Sequence, residues 1–458
     1  MLGAAAGLIV QIGNDREPHP SETPVRTPAR IAYTTHGPIS IIGNAGFINA
    51  SGVVWGGGTE SDPYIIEGLD INASTATGIG IQNTDAHFIV RACHVHDGGL
   101  YYDAILLDSC VNGTLENNTC SSNRVGIYLL DSSNYNTLSN NNCSNNVETA
   151  TGIGLFHSCN NTLVNNTCSD NEGYGVCLYF SDGNTLINNT CSNNFFGICV
   201  VASNSNTLVN NTCSNSSDYG IYLDTSSTNT LIDNNCLESN LGGIGLSLSS
   251  SNTLIGNYCS NGGIELYVSS SNTLIDNNCS NGNCGILLET SSNGNSLINN
   301  TCISNSRYGI FIVGPSCIGN SIAANLIRDN SEYGICIIWL STNNRIWNNT
   351  FTYNNGATDT YDAAHIQAID DGLGNWWNST DGYGNYWSDW TTPDVAPPDG
   401  IVDVPYDVAG GVGAKDYYPL TTPQAPIPEF GMMPIVVTIL LAAIFLITGA
   451  RRRKEHSS

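Results

Sequence analysis

The sequence predicts an all-β protein: a single-stranded, right-handed parallel β-helix of about twelve coils, the solenoid type of pectate lyases. Three observations predict it. An Asn-Xaa-Cys motif recurs every 20 to 25 residues, and a unit of that length must stack on its neighbours to bury its apolar face. Each unit holds short runs rich in β-branched residues, separated by Asn, Ser and Gly clusters. The repeats lack an apolar period of about 3.6 residues, which a helix would require.

Two positions of the repeat are nearly invariant, an asparagine and the cysteine two residues after it. We expect the asparagines to form a ladder in which side-chain amides bond from coil to coil. We expect the cysteines to point inward as small buried apolar residues. The asparagines are Asn118, Asn141, Asn166, Asn189, Asn211, Asn234, Asn257, Asn277 and Asn300, and the cysteines are Cys120, Cys143, Cys168, Cys191, Cys213, Cys236, Cys259, Cys279 and Cys302.

The chain has seventeen cysteines, and those of the ladder are predicted to be mostly reduced, whereas Cys177 and Cys199 are the better candidates for oxidation or metal binding. Equivalent Cβ atoms of stacked coils lie about 4.8 Å apart, whereas a disulfide needs about 3.8 Å. Cys177 and Cys199 occupy another repeat position and are expected to face outward. One earlier coil fits loosely, because 87–93 aligns with 114–120 and places Arg91 at the ladder position.

Charge and hydropathy limit which partners the protein can have and in which compartment it is expected. With 39 acidic and 13 basic residues, a net charge of −26, the chain lacks the basic surface that nucleic acid requires. Residues 432–450 are apolar and uncharged, and as a helix they would span about 28 Å, enough to cross a membrane. The basic residues 451–454 follow at once, which predicts a cytoplasmic tail. The remainder is then expected outside the cell, anchored in the cytoplasmic membrane.

Composition changes along the chain predict its domain organisation. The segments are an apolar N-terminus with the features of a truncated signal, plus a linker (1–30), an N-terminal cap with the first coils (31–80), parallel β-helix repeats (81–356), a C-terminal cap rich in tryptophan (357–420), a Pro-rich spacer (421–431), a transmembrane helix (432–450) and a basic tail (451–458).

The densest group of metal-ligating residues is the Cys-His-Val-His-Asp run at 93–97. Strand alternation puts His94 and His96 together on the outer face. With Asp97 or His87 they are predicted to hold Cu(II) or Zn(II). The alternative is an exposed polar strand edge without a metal.

Two further functions have weaker support in the sequence. The aspartates between Asp381 and Asp403 would suit Ca²⁺, but the EF-hand spacing is absent and a structural turn region is the alternative. Asp370-Asp371 is the adjacent aspartate pair of the chain, and it has no evident partner for acid–base catalysis. The protein is therefore expected not to be an enzyme.

Several motifs resemble those of the NosD-like β-helix repeat proteins of archaeal cell surfaces. They are GTESDPYIIEG at 58–68, the repeated NTLxNNTCS, GNYWSD at 384–389 and KDYYPL at 415–420. The resemblance implies a parallel β-helix, and the family name implies copper binding. Pro428-Glu429-Phe430 resembles an archaeal sorting signal, which implies cleavage by a sortase-type enzyme; a plain single-span anchor is the alternative.

The sequence leaves three functions open. The leading expectation is a non-enzymatic surface protein that binds extracellular polysaccharide or matrix, or forms part of the envelope. The first alternative is metal handling through His94 and His96, in the NosD manner. The second alternative is a polysaccharide lyase or hydrolase on the same fold.

Overall fold

A computed structural model describes residues 33–147, 151–395 and 398–423. Its parallel strands form three long sheets, which confirms the predicted all-β, right-handed parallel β-helix. One coil contains a strand of each sheet, in the order sheet 1, sheet 2, sheet 3. In the coil that begins at Asn184, these strands are Thr185–Ile187, Thr190–Ser192 and Phe196–Val201.

The strands of each sheet follow one another in chain order. Sheet 1 consists of Tyr64–Glu67, Phe88–Arg91, Gly113–Glu116, Thr137–Ser139, Thr162–Val164, Thr185–Ile187, Thr207–Val209, Thr230–Ile232, Thr253–Ile255, Thr273–Ile275, Ser296–Ile298, Ser321–Ala323 and Arg345–Trp347. Sheet 2 consists of Thr34–His36, Leu69–Asn72, His94–His96 and Thr119–Ser121, and then of Thr190–Ser192, Thr212–Ser214, Asn235–Leu237, Tyr258–Ser260, Asn278–Ser280, Thr301–Ile303, Leu326–Arg328, Thr350–Thr352 and Tyr386–Trp387. Isolated bridges through Asn142 and Thr167 join its two parts.

Sheet 3 is the longest of the three. It consists of Ile39–Ile42, Ile79–Thr84, Ile105–Cys110, Val125–Leu130, Thr151–Phe156, Tyr174–Tyr179, Phe196–Val201, Tyr219–Asp224, Gly242–Ser247, Ile264–Tyr267, Cys284–Glu289, Tyr308–Val313, Ile335–Ile337 and Ala368–Asp370. Outside the coils, the described residues form three short 3₁₀ helices, Asn44–Gly46, Asn49–Ser51 and Asn354–Gly356, and an antiparallel pair, Tyr406–Asp407 with Lys415–Asp416.

The core is one continuous column of inward side chains. Isoleucine, leucine and valine fill most positions, and the nine repeat cysteines are fully buried, as predicted. All seventeen cysteines are free. Burial raises the pKa of column thiols such as Cys143 and Cys213, because a thiolate is disfavoured in an apolar core. Cys177 and Cys199 share an outward position of sheet 3, as expected, and Cys177 is half-buried there while Cys199 is 3% exposed.

The predicted asparagine ladder is present and has a direction. Each ladder asparagine donates its backbone N–H and its Nδ2–H to the Oδ1 of the asparagine one coil later, as Asn211 does to Asn234 at 3.0 Å. The residue before it turns the chain in a left-handed conformation, for example Asn188 with φ 54°, which asparagine tolerates well. Two parallel ladders, which begin at Asn123 and Asn136, run beside the first.

Each ladder ends on a carboxylate that only accepts hydrogen bonds. The first ends where Asn385 donates to Asp416. The ladder from Asn136 ends where Asn375 donates to Asp370. The ladder from Asn123, which two serines and two glycines interrupt before Asn305, ends through Gln367 on Asp389.

The C-terminal cap supplies aromatic donors to the same carboxylates. Trp387 Nε1 donates to Asp416, and Trp377 Nε1 donates to Asp370. Both indoles are buried and cover the last coil, and Trp390 is half-buried against it. Trp376, the remaining tryptophan of the cap, is 54% exposed.

The structure corrects the register of the first coils by two residues. Arg91 aligns with Glu116, so it does not occupy the ladder position. Cys93 lies there instead, and its backbone N–H donates to Asn118 Oδ1 at 3.1 Å. Val95 fills the position that a cysteine holds in later coils. The error arose because Cys93 was matched to a repeat cysteine by residue type alone.

The predicted anchor, 432–450, the sorting motif at 428–430 and the N-terminal segment 1–30 lie outside the described residues. Within the described part of the chain, no helix is long and apolar enough to cross a membrane.

Candidate metal centre

The candidate metal centre lies on the outer face of sheet 2, in the first coils. Asp70 belongs to Leu69–Asn72, and His94 and His96 belong to the strand of the next coil. The parallel register pairs Asp70 with His94 and Asn72 with His96. Ile71 and Val95 alternate with these residues and point into the core, which fixes the three ligand side chains on the outside.

The three side chains converge on one carboxylate oxygen. His94 Nδ1 lies 2.8 Å from Asp70 Oδ1, and His96 Nε2 lies 3.5 Å from the same atom. The two imidazole rings stack, with centroids 4.6 Å apart and planes 25° apart. All three side chains are about one-quarter to one-third exposed, so the group is open to solvent on one side.

Asp97 lies on the other side of His96 and positions it. Its Oδ2 accepts a hydrogen bond from His96 Nδ1 at 2.9 Å and another from Asn72 Nδ2 at 3.0 Å. A carboxylate on one ring nitrogen fixes the tautomer, so that the other nitrogen is free to bind a metal. The structure thus gives Asp97 a supporting place, whereas the sequence suggested a ligand.

The structure separates His87 from the other predicted residues. It precedes the sheet 1 strand Phe88–Arg91, and its backbone pairs with Gly58 and Tyr64. Asp70 takes the third place in the group. Sequence reasoning missed Asp70 because it lies 24 residues before His94; that separation is one repeat period, which is the signal that could have found it.

The chain matches a known family over most of the described solenoid. The family described as periplasmic copper-binding protein (NosD) matches residues 40–217, 181–308 and 237–392. The chain belongs to the NosD family. No curated protein matches it closely enough to suggest a more specific identity.

Solved structures with similar folds include two epimerases and a tailspike protein. The A-module of mannuronan C-5 epimerase AlgE4 from Azotobacter vinelandii is 14% identical, with 64% of this chain and 86% of that chain covered and a TM-score of 0.42. The periplasmic alginate epimerase AlgG is 12% identical (69% and 77% covered, TM-score 0.39). The Dettilon tailspike protein is 16% identical (60% and 59% covered, TM-score 0.42). These likenesses concern the solenoid alone.

The donor set of this NosD-family chain suits a transition metal. Two imidazole nitrogens and one carboxylate oxygen are ligands that Cu(II) and Zn(II) both accept. The ligand atoms all lie within 4.8 Å of one another, so bonds of about 2.0–2.2 Å require only small side-chain movements. The exposed side leaves room for a water molecule or a further ligand.

The other acidic candidates have structural partners. Asp394 Oδ2 accepts from the Gly400 N–H, and Asp399 Oδ1 accepts from the Ile401 N–H, so these carboxylates hold the loop proposed for Ca²⁺. In the aspartate pair, Asp370 accepts from Trp377 and Asp371 accepts from Gly411. These contacts assign both aspartates to the architecture of the cap.

Proposed function

We propose that this NosD-family protein binds a transition-metal ion, with Cu(II) as the first candidate, through Asp70, His94 and His96. The observation that carries the proposal is the convergence of both imidazoles on one carboxylate oxygen. The copper-binding description of the family favours copper over zinc. Asp97 accepts hydrogen bonds from His96 and from Asn72 and so orients His96, and the Tyr33 ring lies 5.8 Å from the His94 ring.

The test is a titration of the purified chain with Cu(II), followed by calorimetry and by electron paramagnetic resonance. The double variant His94→Ala with His96→Ala should lose nitrogen hyperfine coupling and about a hundredfold or more in affinity. The matched control is Thr119→Ala with Ser121→Ala, which changes the same two outward positions one coil later and should bind as the parent does. Equal binding by both double variants would remove the proposal.

We also propose that the protein works outside the cytoplasm, held by the apolar segment 432–450. The family description as periplasmic and the basic residues after the segment support this location. Cleavage by a sortase-type enzyme near Pro428, Glu429 and Phe430 is part of the proposal. The mass of the mature protein from membranes decides it, because an intact C-terminus would exclude cleavage.

A second candidate role is binding of an envelope polysaccharide. The observation that favours it is the stacking of outward aromatic rings along sheet 3. Phe156 and Tyr179 lie 5.4 Å apart, Tyr174 and Phe196 lie 5.7 Å apart, and Phe196 and Tyr222 lie 5.1 Å apart. Such columns offer flat apolar surfaces at successive coils, which suits a polymer of sugar rings. Binding of purified envelope polysaccharide to the chain is the direct test.

A further inference from the structure

A cavity opens on sheet 3 where the outward column of side chains is interrupted. Tyr128, Gly154 and Cys177 occupy equivalent positions of three successive coils. A space of about 620 Å³ lies beside Gly154, which contributes no side chain to it. That volume lies in the usual range of small-ligand sites, about 300–1,000 Å³.

Aromatic rings form the walls of this cavity. The Phe156 and Tyr179 rings stack with planes 7° apart along one edge, and Tyr174 lines it as well. The Tyr128 ring leans over Gly154 so closely that a Cβ there would lie 3.1 Å from Tyr128 Cδ2. Flat apolar faces with phenol hydroxyls at their edges suit pyranose rings, which carry C–H groups on one face and hydroxyls around the rim.

The charge of the cavity points to a neutral ligand. Arg124 is the cation in its lining, and Asp103 already pairs with it, with Arg124 Nη2 2.7 Å from Asp103 Oδ2. The Asp103 side chain is 3% exposed, so the pair is held in place and carries no net charge, while Arg124 keeps N–H donors for sugar hydroxyls. The net charge of −26 repels a polyanion.

We infer that the cavity at Gly154 binds a neutral pyranose unit of a polysaccharide. The inference rests on the second proposed role and narrows it to one site and one class of sugar. It is independent of the metal centre, which lies on sheet 2.

Calorimetric titration of the full chain with neutral tetrasaccharides of glucose, mannose and galactose, and with oligogalacturonate for comparison, tests the inference. At least one neutral probe should bind, and oligogalacturonate should bind more weakly. Gly154→Gln fills the cavity and should weaken binding about tenfold or more. The control is Gly80→Gln, since Gly80 is an outward glycine of the same sheet with no atom closer than 3.7 Å to an added Cβ.

A second variant guards against misfolding of the first. Tyr179 is 38% exposed, and Tyr179→Ala should weaken the same interaction, whereas Tyr258→Ala, at an equally exposed tyrosine of sheet 2, should not. Unchanged binding by Gly154→Gln and Tyr179→Ala would overturn the cavity while leaving polysaccharide binding elsewhere intact. If no probe binds, both the cavity site and the proposed polysaccharide binding are wrong. If the chain prefers oligogalacturonate, the assignment to a neutral sugar is wrong.

Discussion

The first coils and the middle coils of sheet 2 both have small or aliphatic apolar side chains on the inside, but their outward side chains differ. In the middle coils most outward positions hold small polar residues such as Thr212 and Ser214. In the first coils the equivalent positions hold Asp70, His94 and His96. The inward residues of both regions are fully buried. A parallel solenoid thus keeps its interior constant while its surface changes residue by residue, so specialised chemistry appears as a departure from the repeat.

The largest effect should come from the constant interior. Asn211→Ala removes acceptors and donors at once: Asn189 loses its partner Oδ1, and the Leu186 carbonyl loses the Nδ2–H that it accepts. Buried groups left without partners cost about 1–3 kcal/mol each, so we expect a loss of about 3–5 kcal/mol in the free energy of unfolding.

Denaturant unfolding measures this loss. Asn240→Ala, at an exposed asparagine, is the control and should change stability by about 0.5 kcal/mol or less. Similar values for Asn211→Ala and Asn240→Ala would mean that the ladder does not stabilise the solenoid.

The contribution of Asp416, at the end of the first ladder, to protein stability should depend on pH, whereas that of the uncharged asparagines should not. Burial raises the pKa of Asp416 to about 6, above its unfolded value, so the folded state favours the protonated acid. The contribution of Asp416 to stability is therefore greatest below about pH 4 and falls as the pH rises through 6. The expected fall is at most about 3 kcal/mol, since a pKa raised from 3.8 to about 6 corresponds to about 1.4 kcal/mol for each pH unit.

Comparison with Asp416→Asn isolates this effect from the other acidic groups. The stability difference between the parent chain and the variant should shift against the parent between pH 4 and pH 7. A difference that does not change with pH would show that Asp416 does not titrate in this range.

The smallest effect on stability should come from rebuilding the metal centre on a middle coil. Thr190 and Thr212 pair as Asp70 and His94 do, and Asn215 shares the left-handed conformation of Asp97. The graft consists of Thr190→Asp, Ser192→Asn, Thr212→His, Ser214→His and Asn215→Asp. We expect a stability change of about 1 kcal/mol or less.

The grafted coil should also bind Cu(II) when the native centre has been removed by His94→Ala and His96→Ala. Electron paramagnetic resonance reports the two nitrogen ligands. A graft that folds normally but does not bind Cu(II) would show that the surface positions of the first and middle coils are not interchangeable. The native centre would then need surrounding residues such as Tyr33.

The period of the sequence was enough to predict the interior. Nine asparagines and nine cysteines at one spacing specify a ladder and a buried column, because stacking repeats the same environment in every coil. The pairing of His94 with His96 also followed, since strand alternation is local. The place of Asp70 in the group could not be predicted in the same way. Asp70 pairs with His94 of the next coil, and the first coils lack the regular motif from which that pairing could be read.

The cap and the cavity were less accessible to sequence reasoning. No periodic signal identifies Asp416, Asp389 and Asp370 as ladder ends, since all three lie after the last regular repeat of the sequence. The space at Gly154 depends on its neighbours Tyr128 and Cys177 in adjacent coils, and Gly245 shows that an equivalent glycine elsewhere leaves about 150 Å³ instead.

Because the hydrogen bonds of an asparagine ladder all run in one direction, the ladder does not fix the number of coils. In the two uninterrupted ladders, every internal asparagine presents the same acceptor to the coil before it and the same donors to the coil after it, so a coil can be duplicated or deleted without leaving an asparagine of these ladders unmatched. The length of the solenoid is set where the chain supplies carboxylates in place of another asparagine. Homologous chains with more or fewer coils should therefore keep an aspartate at each ladder end, and their lengths should differ by whole repeats.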